Sequence, residues 1–535
     1  MYKKKISLRL SGAALGVALG ALIAAMPASA QENRFIYAAI AVPGNLDMWT
    51  KYEGDSSWNL AYEVGSVLVE YAPEDGCNTL AGVNNLRPVL ATSWQYSEDE
   101  KQLRFKLREG VKSPAGNEMT SEDVVWSLNF AKSQSASARF LFSNAADFAK
   151  ENTFEAIDKY TVAVNLNRRT AMDVAIFTLP LVGVMDTKTV LVNSTDADPM
   201  ALEWLAKNLA NFGPWAQESF TPNSEISFRR NENYWDKESV GNLEAMTIRA
   251  IPEAGTRTQL LLAGQVDYAE RLSFDEYLSL EGSGTAKLEN CVSPNRERLV
   301  LNQEYEPLAD ARVRRALSLA VNREALKAGV YKGLFEASKT GLTQSYIAGV
   351  EGATPLAYDP EQAKALLKEA GAEGLSIELT ATPAKPGPWS QSIAVQVGEM
   401  LKQVGINSTI RVIAGQAEAD TVYREGKYQS YINVEIPAVA DPYYSLSLYN
   451  GSWSFQNTFN FKNDDYDQVT KEVQISTSRD ERQRLMVEAS NIIAEQVPAI
   501  YLSEQRYLRA LSTRVSGYEN PPHGQLLVYR MSKSN

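Results

Sequence analysis

The stretch Leu103-Arg-Phe-Lys-Leu107, followed by Met119-Thr-Ser-Glu-Asp-Val-Val-Trp-Ser127, decides the fold class of this chain. The first segment alternates apolar and charged residues, which predicts a half-buried strand. Thr120 or Ser121 can cap the helix that follows, and the acidic residues after them suit the positive end of a helix dipole. A strand therefore leads into a capped helix, and similar pairs recur along the chain. This mixture predicts the α/β class.

The same alternation continues towards the C-terminus, between residues 355 and 415. Asp359-Pro360 predicts a helix start, because Pro is well suited to the first helical position. A strand, a second helix and another strand follow, which favours a βαβ layer. Elsewhere we predict helices over Asn59–Glu70, Asp310–Val330 and Arg479–Glu495, and short strands over Leu299–Asn302 and Ala499–Leu502.

Length and composition limit the possible functions. The chain has 535 residues, and a single core rarely grows beyond roughly 250–300 residues, so we expect at least two domains. The hydrophobic share of 44% and the charged share of 22% are ordinary for a folded globular protein. The formal net charge of −12 argues against general binding to nucleic acid or to anionic membranes.

The first thirty residues have the pattern of a secretory signal. A basic start with three lysines precedes an apolar run from Ala13 to Ala25, and Pro27-Ala-Ser-Ala30 ends it with small residues. This order is typical of a cleaved signal peptide, and the run is shorter than the roughly 20 residues that span a bilayer. We therefore expect cleavage after Ala30 and a periplasmic protein; an uncleaved anchor is the alternative.

Two cysteines, Cys77 and Cys291, lie after the expected cleavage point. In an oxidising compartment two such cysteines often pair, so a disulfide is one interpretation. Two buried thiols, or one exposed thiol, are the others.

Catalytic motifs are scarce in the sequence. The single histidine, His523, cannot supply a histidine-rich metal site, and it makes a Ser-His-Asp triad hard to build. The sequence contains neither a Gly-x-Ser-x-Gly elbow nor a phosphate-binding loop. A carboxylate pair for glycoside cleavage stays open, although none of the 65 acidic residues stands out. We therefore predict no catalytic residue, no metal and no cofactor, and keep a secreted hydrolase as the rival hypothesis.

Aromatic residues are frequent, with 9 Trp, 25 Tyr and 16 Phe. Most aromatics serve core packing in any protein. Some of those here lie in turn-rich stretches, as expected for the walls of a small-molecule cleft. They include Trp49, Trp389, Tyr443 and Tyr444.

Taken together and in order, several segments resemble family 5 extracellular solute-binding proteins, the dipeptide, oligopeptide and nickel carriers of ABC importers. The resemblance covers nearly all of the chain after the signal. The segments that carry it are Leu90-Ala-Thr-Ser-Trp94, Phe105–Val111, Met119–Ser127, Asn211-Phe-Gly-Pro-Trp215, Arg229–Trp235, Leu262-Ala-Gly-Gln-Val-Asp267, Asp310–Leu317, Ala320-Val-Asn-Arg323 and Tyr358–Leu367.

This resemblance implies a two-lobe periplasmic-binding-protein fold, similar to type II, with an extra subdomain and a hinge between the lobes. Solute is enclosed when the lobes close. The implied partners are a small solute and the permease of an ABC importer, and we expect a monomer that binds no nucleic acid. The implied ranges are 1–30 for the signal peptide; 31–69, 210–300 and 500–535 for lobe I; 70–209 for an extra subdomain of lobe I; and 301–499 for lobe II. The chain then crosses between the lobes near Asn302 and again near residue 500, and we expect the hinge in these segments.

Peptide carriers of the family hold the peptide's ammonium group with an Asp that lies shortly before an Asp-Pro pair. Here Asp441-Pro442 matches the pair, but Ala438 takes the place of that Asp, and Glu435 takes the place of a Trp. An ordinary peptide ligand therefore becomes doubtful, and Glu435 could meet a cationic part of another solute or be a solvated or hinge-side carboxylate. We expect the cleft to include Trp49, Trp389, Glu435, Tyr443 and Tyr444. A peptide carrier, and a chaperone or adhesion role on the same scaffold, stay as alternatives.

Overall fold

The structure is a computed structural model that describes residues 33–51, 55–72, 77–78, 85–343, 351–383 and 385–534. The predicted signal peptide and its cleavage point lie outside these residues. The strands are β1 (Arg34–Ala39), β2 (Val69–Tyr71), β3 (Leu86–Pro88), β4 (Ala91–Tyr96), β5 (Gln102–Leu107), β6 (Phe154–Asp158), β7 (Thr161–Asn165), β8 (Trp215–Thr221), β9 (Glu225–Arg230), β10 (Ala245–Ala250), β11 (Tyr268–Ala269), β12 (Ala286–Leu301), β13 (Glu336–Ala337), β14 (Ser376–Ala381), β15 (Asn407–Val412), β16 (Ser430–Glu435), β17 (Ala499–Ser512), β18 (Val515–Ser516) and β19 (Ser532–Lys533).

The α-helices are α1 (Asp55–Glu63), α2 (Ser121–Gln134), α3 (Ala136–Phe140), α4 (Thr187–Leu191), α5 (Leu202–Leu205), α6 (Ala254–Leu262), α7 (Phe274–Ser279), α8 (Glu306–Ala309), α9 (Ala311–Ala320), α10 (Arg323–Gly329), α11 (Pro360–Glu369), α12 (Ser390–Gln403), α13 (Gln416–Arg424), α14 (Pro442–Asn450), α15 (Asp464–Ile475) and α16 (Arg479–Gln496). Short 3-10 or π turns cover Leu141–Ala145, Ala175–Thr178, Pro180–Val182 and Val528–Arg530. Among the described residues, none of these helices combines the length and apolar character needed to cross a membrane.

The segments Leu103–Leu107 and Met119–Ser127 fold as the predicted strand and capped helix. β5 pairs with β4 and β7 in a four-stranded antiparallel sheet ordered β4-β5-β7-β6. Thr120 is the N-cap of α2 in a capping box, since the Asp123 side chain accepts a hydrogen bond from the Thr120 backbone N–H at 2.8 Å. Phe105 and Val124 are fully buried in one core. This sheet and helix lie within residues 70–209. We use the names subdomain, lobe I and lobe II for the ranges that the sequence predicts.

A second, larger sheet has eleven strands and runs through both lobe I and lobe II. Its order is β15-β14-β16-β12-β17-β11-β1-β10-β9-β8, with β13 paired to β17 at the side. β12 and β17 are its central pair and are antiparallel along most of their length. The register of this pair shifts between Val292 and Arg296, and again between Glu297 and Arg298. The two strands therefore connect the lobes through one hydrogen-bonded ladder with an irregular middle.

Several predicted boundaries were wrong. β12 has 16 residues and β17 has 14, whereas the sequence indicated two short strands. The helix predicted over Asp310–Val330 is divided into α9 and α10, because Asn322 caps a new helix by accepting from Ala325 N. The first predicted helix begins at Asp55 and ends at Glu63, and the chain then forms β2.

One hydrophobic core is shared by the subdomain and lobe II. It contains Leu103, Phe105 and Phe177 of the subdomain as well as Tyr443 and Tyr466 of lobe II. Because residues of both ranges are buried in the same cluster, the subdomain packs directly on lobe II. The subdomain, which the sequence assigns to lobe I, therefore contacts lobe II in this structure.

Candidate functional site

The candidate site lies where β16 ends and α14 begins, at the face of lobe II that meets the subdomain. Asp441 caps α14, since its carboxylate accepts a hydrogen bond from the backbone N–H of Tyr443 at 2.8 Å. Pro442 occupies the first helical position, where a missing N–H costs nothing. Residues 436–441 therefore form a short connection with fixed ends.

Tyr71 of the subdomain touches this connection directly. Its hydroxyl oxygen accepts a hydrogen bond from Ala440 N at 2.8 Å. Close by, the Tyr443 hydroxyl donates to Asn144 O at 3.3 Å. Tyr444 is buried beside Tyr71, and burial raises its pKa, so its hydroxyl stays protonated. Tyr443 and Tyr444 thus lie together where the subdomain contacts lobe II, whereas Tyr71 had no sequence signal beyond being an aromatic residue.

Glu435 is fully buried at the end of β16, and its carboxylate is occupied by two arginines. Nη2 of Arg296 lies 2.8 Å from one oxygen, and Nη1 of Arg298 lies 3.1 Å from the other. The Tyr501 hydroxyl adds a hydrogen bond of 3.3 Å. Burial opposes the charge on Arg296 and Arg298, but Glu435 outweighs it and raises the pKa of both. In this structure the Glu435 carboxylate is therefore buried and paired within the chain, and its place in a ligand site stays a prediction.

Asp441 is the other acidic residue of this segment, and it is paired as well. Its Oδ1 lies 2.8 Å from Nη2 of Arg482, and both side chains are buried. Ala438, which takes the place of the ammonium-binding Asp of peptide carriers, is half-buried and packs against the shared core. Neither acidic side chain of residues 433–442 is therefore left with an uncompensated charge.

Trp389 has a different setting from the tyrosines. Its indole nitrogen donates a hydrogen bond of 2.7 Å to Oε1 of Glu297 on β12. Its ring packs 4.6 Å from that of Phe274 in α7 and 5.7 Å from that of Phe335. Trp389 thus contacts β12, Phe274 in the range predicted for lobe I and Phe335 in the range predicted for lobe II.

Trp49 packs within lobe I and the subdomain. Its indole nitrogen donates to Leu181 O at 2.9 Å, and its ring meets Phe130 edge-on at 5.4 Å. It lines an apolar cavity of about 60 Å³ together with Leu60 and Val64 of the α1 region. This volume holds no more than a few small atoms, so the cavity is far smaller than an ordinary solute pocket.

Cys77 and Cys291 are joined as a disulfide, with their Cα atoms 4.2 Å apart. The backbone adds a hydrogen bond of 2.8 Å from Val292 N to Cys77 O. Among the described residues, the one cluster of metal-ligating side chains is these two cysteines with Glu289, and the disulfide occupies both sulfur atoms.

His523, the single histidine, is half-buried and stacks on Tyr62 with ring centroids 4.0 Å apart. Burial lowers its pKa to about 3, so the ring is neutral at ordinary pH. Its Nδ1 accepts a hydrogen bond from Gln525 N at 3.2 Å. These contacts give His523 a packing role in the C-terminal loop of lobe I.

Residues 85–457 match the family model described as bacterial extracellular solute-binding proteins, family 5 middle. The chain therefore belongs to this family. It is 25% identical to heme-binding protein A of Haemophilus influenzae over 524 residues, which cover 94% of this chain and 93% of that protein. It is 24% identical to the probable D,D-dipeptide-binding periplasmic protein DdpA of Escherichia coli, with 99% of this chain and all of that protein covered.

Among solved structures, the periplasmic binding protein DppA of Helicobacter pylori, in complex with the peptide STSA, superimposes with a TM-score of 0.79. The match covers 95% of this chain and 100% of that chain at 21% identity. This likeness confirms the predicted two-lobe α/β fold. The chain is accordingly the substrate-binding component of an ABC import system, which captures a small solute and delivers it to a membrane permease.

Proposed function

We propose that the imported solute is held between Tyr71 of the subdomain and residues 436–444 of lobe II, without a salt bridge from a free ammonium group to this wall. One observation carries the proposal: both acidic residues of the wall, Glu435 and Asp441, are already paired with arginines of the same chain. An ordinary free peptide is therefore not the preferred solute.

Electrostatics disfavours an ammonium group of the solute at this wall. An ammonium group that leaves water needs a nearby carboxylate, because burying an unpaired charge is costly. Ala438 offers only a methyl group at the position where peptide carriers have an Asp. Diverting Glu435 to a solute would leave Arg296 and Arg298 buried without their counter-charge. Withdrawing Asp441 would do the same to Arg482.

The solute-facing residues that we propose are Tyr443 and Tyr444. They lie at the contact between the two parts that the family closes around a solute, and aromatic walls with few polar groups suit such sites. The ion-paired Glu435 supports this wall from behind. Trp389 is proposed to act through the hinge strand, and Trp49 to stabilise lobe I.

We base the oligomeric state, the location and the domain ranges on the resemblance to the family. We propose a mature monomer that begins at Gln31, acts in the periplasm and performs no chemistry on its solute. The ranges given above for lobe I, the subdomain and lobe II are part of this proposal, with the β12–β17 pair as the hinge.

The test is a thermal-shift screen of the purified mature chain, followed by native mass spectrometry of whatever copurifies with it. The panel holds haem, opines, sugar derivatives, metal chelates, the dipeptide Ala-Ala and its N-acetylated form. A bound solute stabilises the folded state by mass action, so its melting temperature rises with concentration. We expect a shift with a compound that lacks a free α-ammonium group, and no preference for Ala-Ala over N-acetyl-Ala-Ala.

A peptide carrier is the second candidate, because DdpA is named as a probable D,D-dipeptide-binding protein and the Helicobacter pylori protein was solved in complex with a peptide. It predicts that Ala-Ala or a longer free peptide stabilises the protein while the N-acetylated form does not. That outcome would contradict the proposed absence of an ammonium contact. It would leave the assignment to solute import intact.

A further inference from the structure

Three exposed or half-exposed aromatic rings meet where the subdomain contacts lobe II. Phe140 ends α3 in the subdomain, and Trp453 and Phe455 lie in the turn after α14 in lobe II. The Phe140 ring stacks on Trp453 with centroids 5.8 Å apart, and it meets Phe455 edge-on at 5.3 Å. These contacts join residues more than 300 positions apart in the sequence.

The aromatic rings of Trp453 and Phe455 are unusually exposed for large apolar side chains. Trp453 is 44% exposed and Phe455 is 60% exposed, so neither ring is a core residue of lobe II. An exposed apolar cluster in a folded protein usually marks a surface that another body covers. Here the ring that packs against both is Phe140, a residue of the same chain.

The turn that carries Trp453 and Phe455 is held in place by polar contacts. Asn457 Nδ2 donates to Phe461 O at 2.6 Å and to Gly451 O at 3.2 Å. The backbone N–H of Ser452 donates to Asp467 of α15 at 3.0 Å. The two rings are therefore presented by a braced turn, which lowers the entropy cost of meeting a partner.

The segment after Phe140 continues the contact with lobe II. Asn144 O accepts hydrogen bonds from Gln474 Nε2 at 2.7 Å and from the Tyr443 hydroxyl at 3.3 Å. The aromatic cluster thus lies at one end of a line of contacts that leads to the proposed solute-facing tyrosines. All of these contacts would break if the subdomain and lobe II separated.

We propose that Phe140, Trp453 and Phe455 form an aromatic clasp, which stabilises the closed arrangement and thereby sets how tightly the solute is held. The clasp rests on the proposed function, since it requires the subdomain and lobe II to open and close around the solute. Contacts that exist only in the closed state shift the equilibrium towards it, and apparent affinity rises with the closed fraction. Removal of either ring pair should shift the ratio of closed to open molecules by roughly threefold to tenfold.

The experiment measures the closed fraction without any solute. Spin labels are placed at the exposed residues Glu151 of the subdomain and Lys471 of lobe II through Glu151→Cys and Lys471→Cys, and their distance distribution is recorded by pulsed electron resonance. The distribution is compared for the labelled parent and for Phe140→Ala, Trp453→Ala and Phe455→Ala in that background. Tyr358→Ala is the matched control, because Tyr358 is an aromatic residue of similar exposure outside the clasp.

We expect the parent to show a population at the short distance of this structure, and each clasp variant to move part of it to longer distances. The control should match the parent, and all variants should keep the parent's circular dichroism. Unchanged distributions in the clasp variants would overturn the proposal, as would a parent that is already as open as they are. Since no solute is added, a failure of the solute screen leaves this result readable.

The second measurement is the open fraction of a double variant in which Phe140 and Trp453, the two rings of one contact, are both replaced by Ala. If Phe140 and Trp453 act on each other, the double variant should open hardly more than the more open of the two single variants. Opening ratios that simply multiply would show that the rings act independently, which contradicts a clasp.

Discussion

The indole nitrogen of Trp389 donates a hydrogen bond of 2.7 Å to Oε1 of Glu297, a fully buried carboxylate on the strand that joins the lobes. Ser503 Oγ and Gln505 Nε2 on β17 also donate to this carboxylate, at 2.9 and 2.8 Å. Trp389 therefore links α12 to both strands of the predicted hinge. Its place in the cleft wall, which the sequence predicts, stays a prediction, and its contacts with β12 lead us to propose a supporting role beside the hinge.

The first prediction follows from this link. Trp389→Phe should lower the free energy of unfolding by about 1–3 kcal/mol, because a buried carboxylate loses a donor while most packing is kept. Trp389→Ala should cost about 3–5 kcal/mol, since the contacts with Phe274 and Phe335 are lost as well. Urea unfolding measures both. If Trp389→Phe is as stable as the parent, the hydrogen bond contributes nothing and the prediction is wrong.

The second prediction concerns Glu435. Glu435→Gln should destabilise the fold by about 3–5 kcal/mol, because two buried guanidinium groups lose their shared counter-charge. The control is Glu361→Gln, which removes an exposed pair with Lys364 and should change stability by less than about 1 kcal/mol. Equal effects of the two substitutions in chemical denaturation would contradict this account of Glu435.

The third prediction is a pH dependence that arises from Glu63. Burial raises the pKa of this carboxyl to about 8, although its Oε2 accepts a hydrogen bond from Val528 N at 3.1 Å. The folded state therefore holds a proton that the unfolded chain releases near pH 4.5. Stability from this group is present below that pH and is lost as pH rises towards 8.

The measurement is the unfolding free energy between pH 5 and pH 8. In this window the parent should lose stability through Glu63, by up to several kcal/mol. Glu63→Gln keeps an acceptor for Val528 N and cannot ionise, so its profile should be flatter and its relative stability highest at pH 8. Parallel profiles for the two proteins would refute the assignment to this residue.

The fourth prediction concerns the disulfide between Cys77 and Cys291, which closes a loop with a sequence separation of 214. The double variant Cys77→Ser with Cys291→Ser should lose roughly 2–5 kcal/mol of stability, since its unfolded state is less restricted. Non-reducing peptide mapping establishes that the bond is present in the parent. A parent whose thiols react freely with an alkylating reagent would show that the bond is not formed.

Local sequence signals predicted much of this fold. The capping residues Thr120 and Asp359 begin helices as expected, because these signals need only neighbouring residues. The full lengths of β12 and β17 could not be predicted in the same way. Arg296, Glu297 and Arg298 are charged yet buried, so hydrophobic alternation fails in the middle of β12, where the register with β17 shifts.

Less of the candidate site than of the fold could be predicted from the sequence. Glu435 attracts attention by its position before Asp441-Pro442, but its ion-pair partner Arg296 is 139 residues away. Ala438 was informative only through the family resemblance. The contact of Tyr71 with Ala440 joins residues 369 positions apart, which no local pattern encodes.

The position of β17 in the eleven-stranded sheet determines when this sheet can be completed during synthesis of the chain. β17 ends at Ser512 of 535 residues and is flanked by β12 on one side and β11 on the other. Until this segment has left the ribosome, the eleven-stranded sheet lacks the strand that lies between β12 and β11. A product truncated before residue 499 therefore lacks the strand that pairs with both β12 and β11, and its sheet stays incomplete.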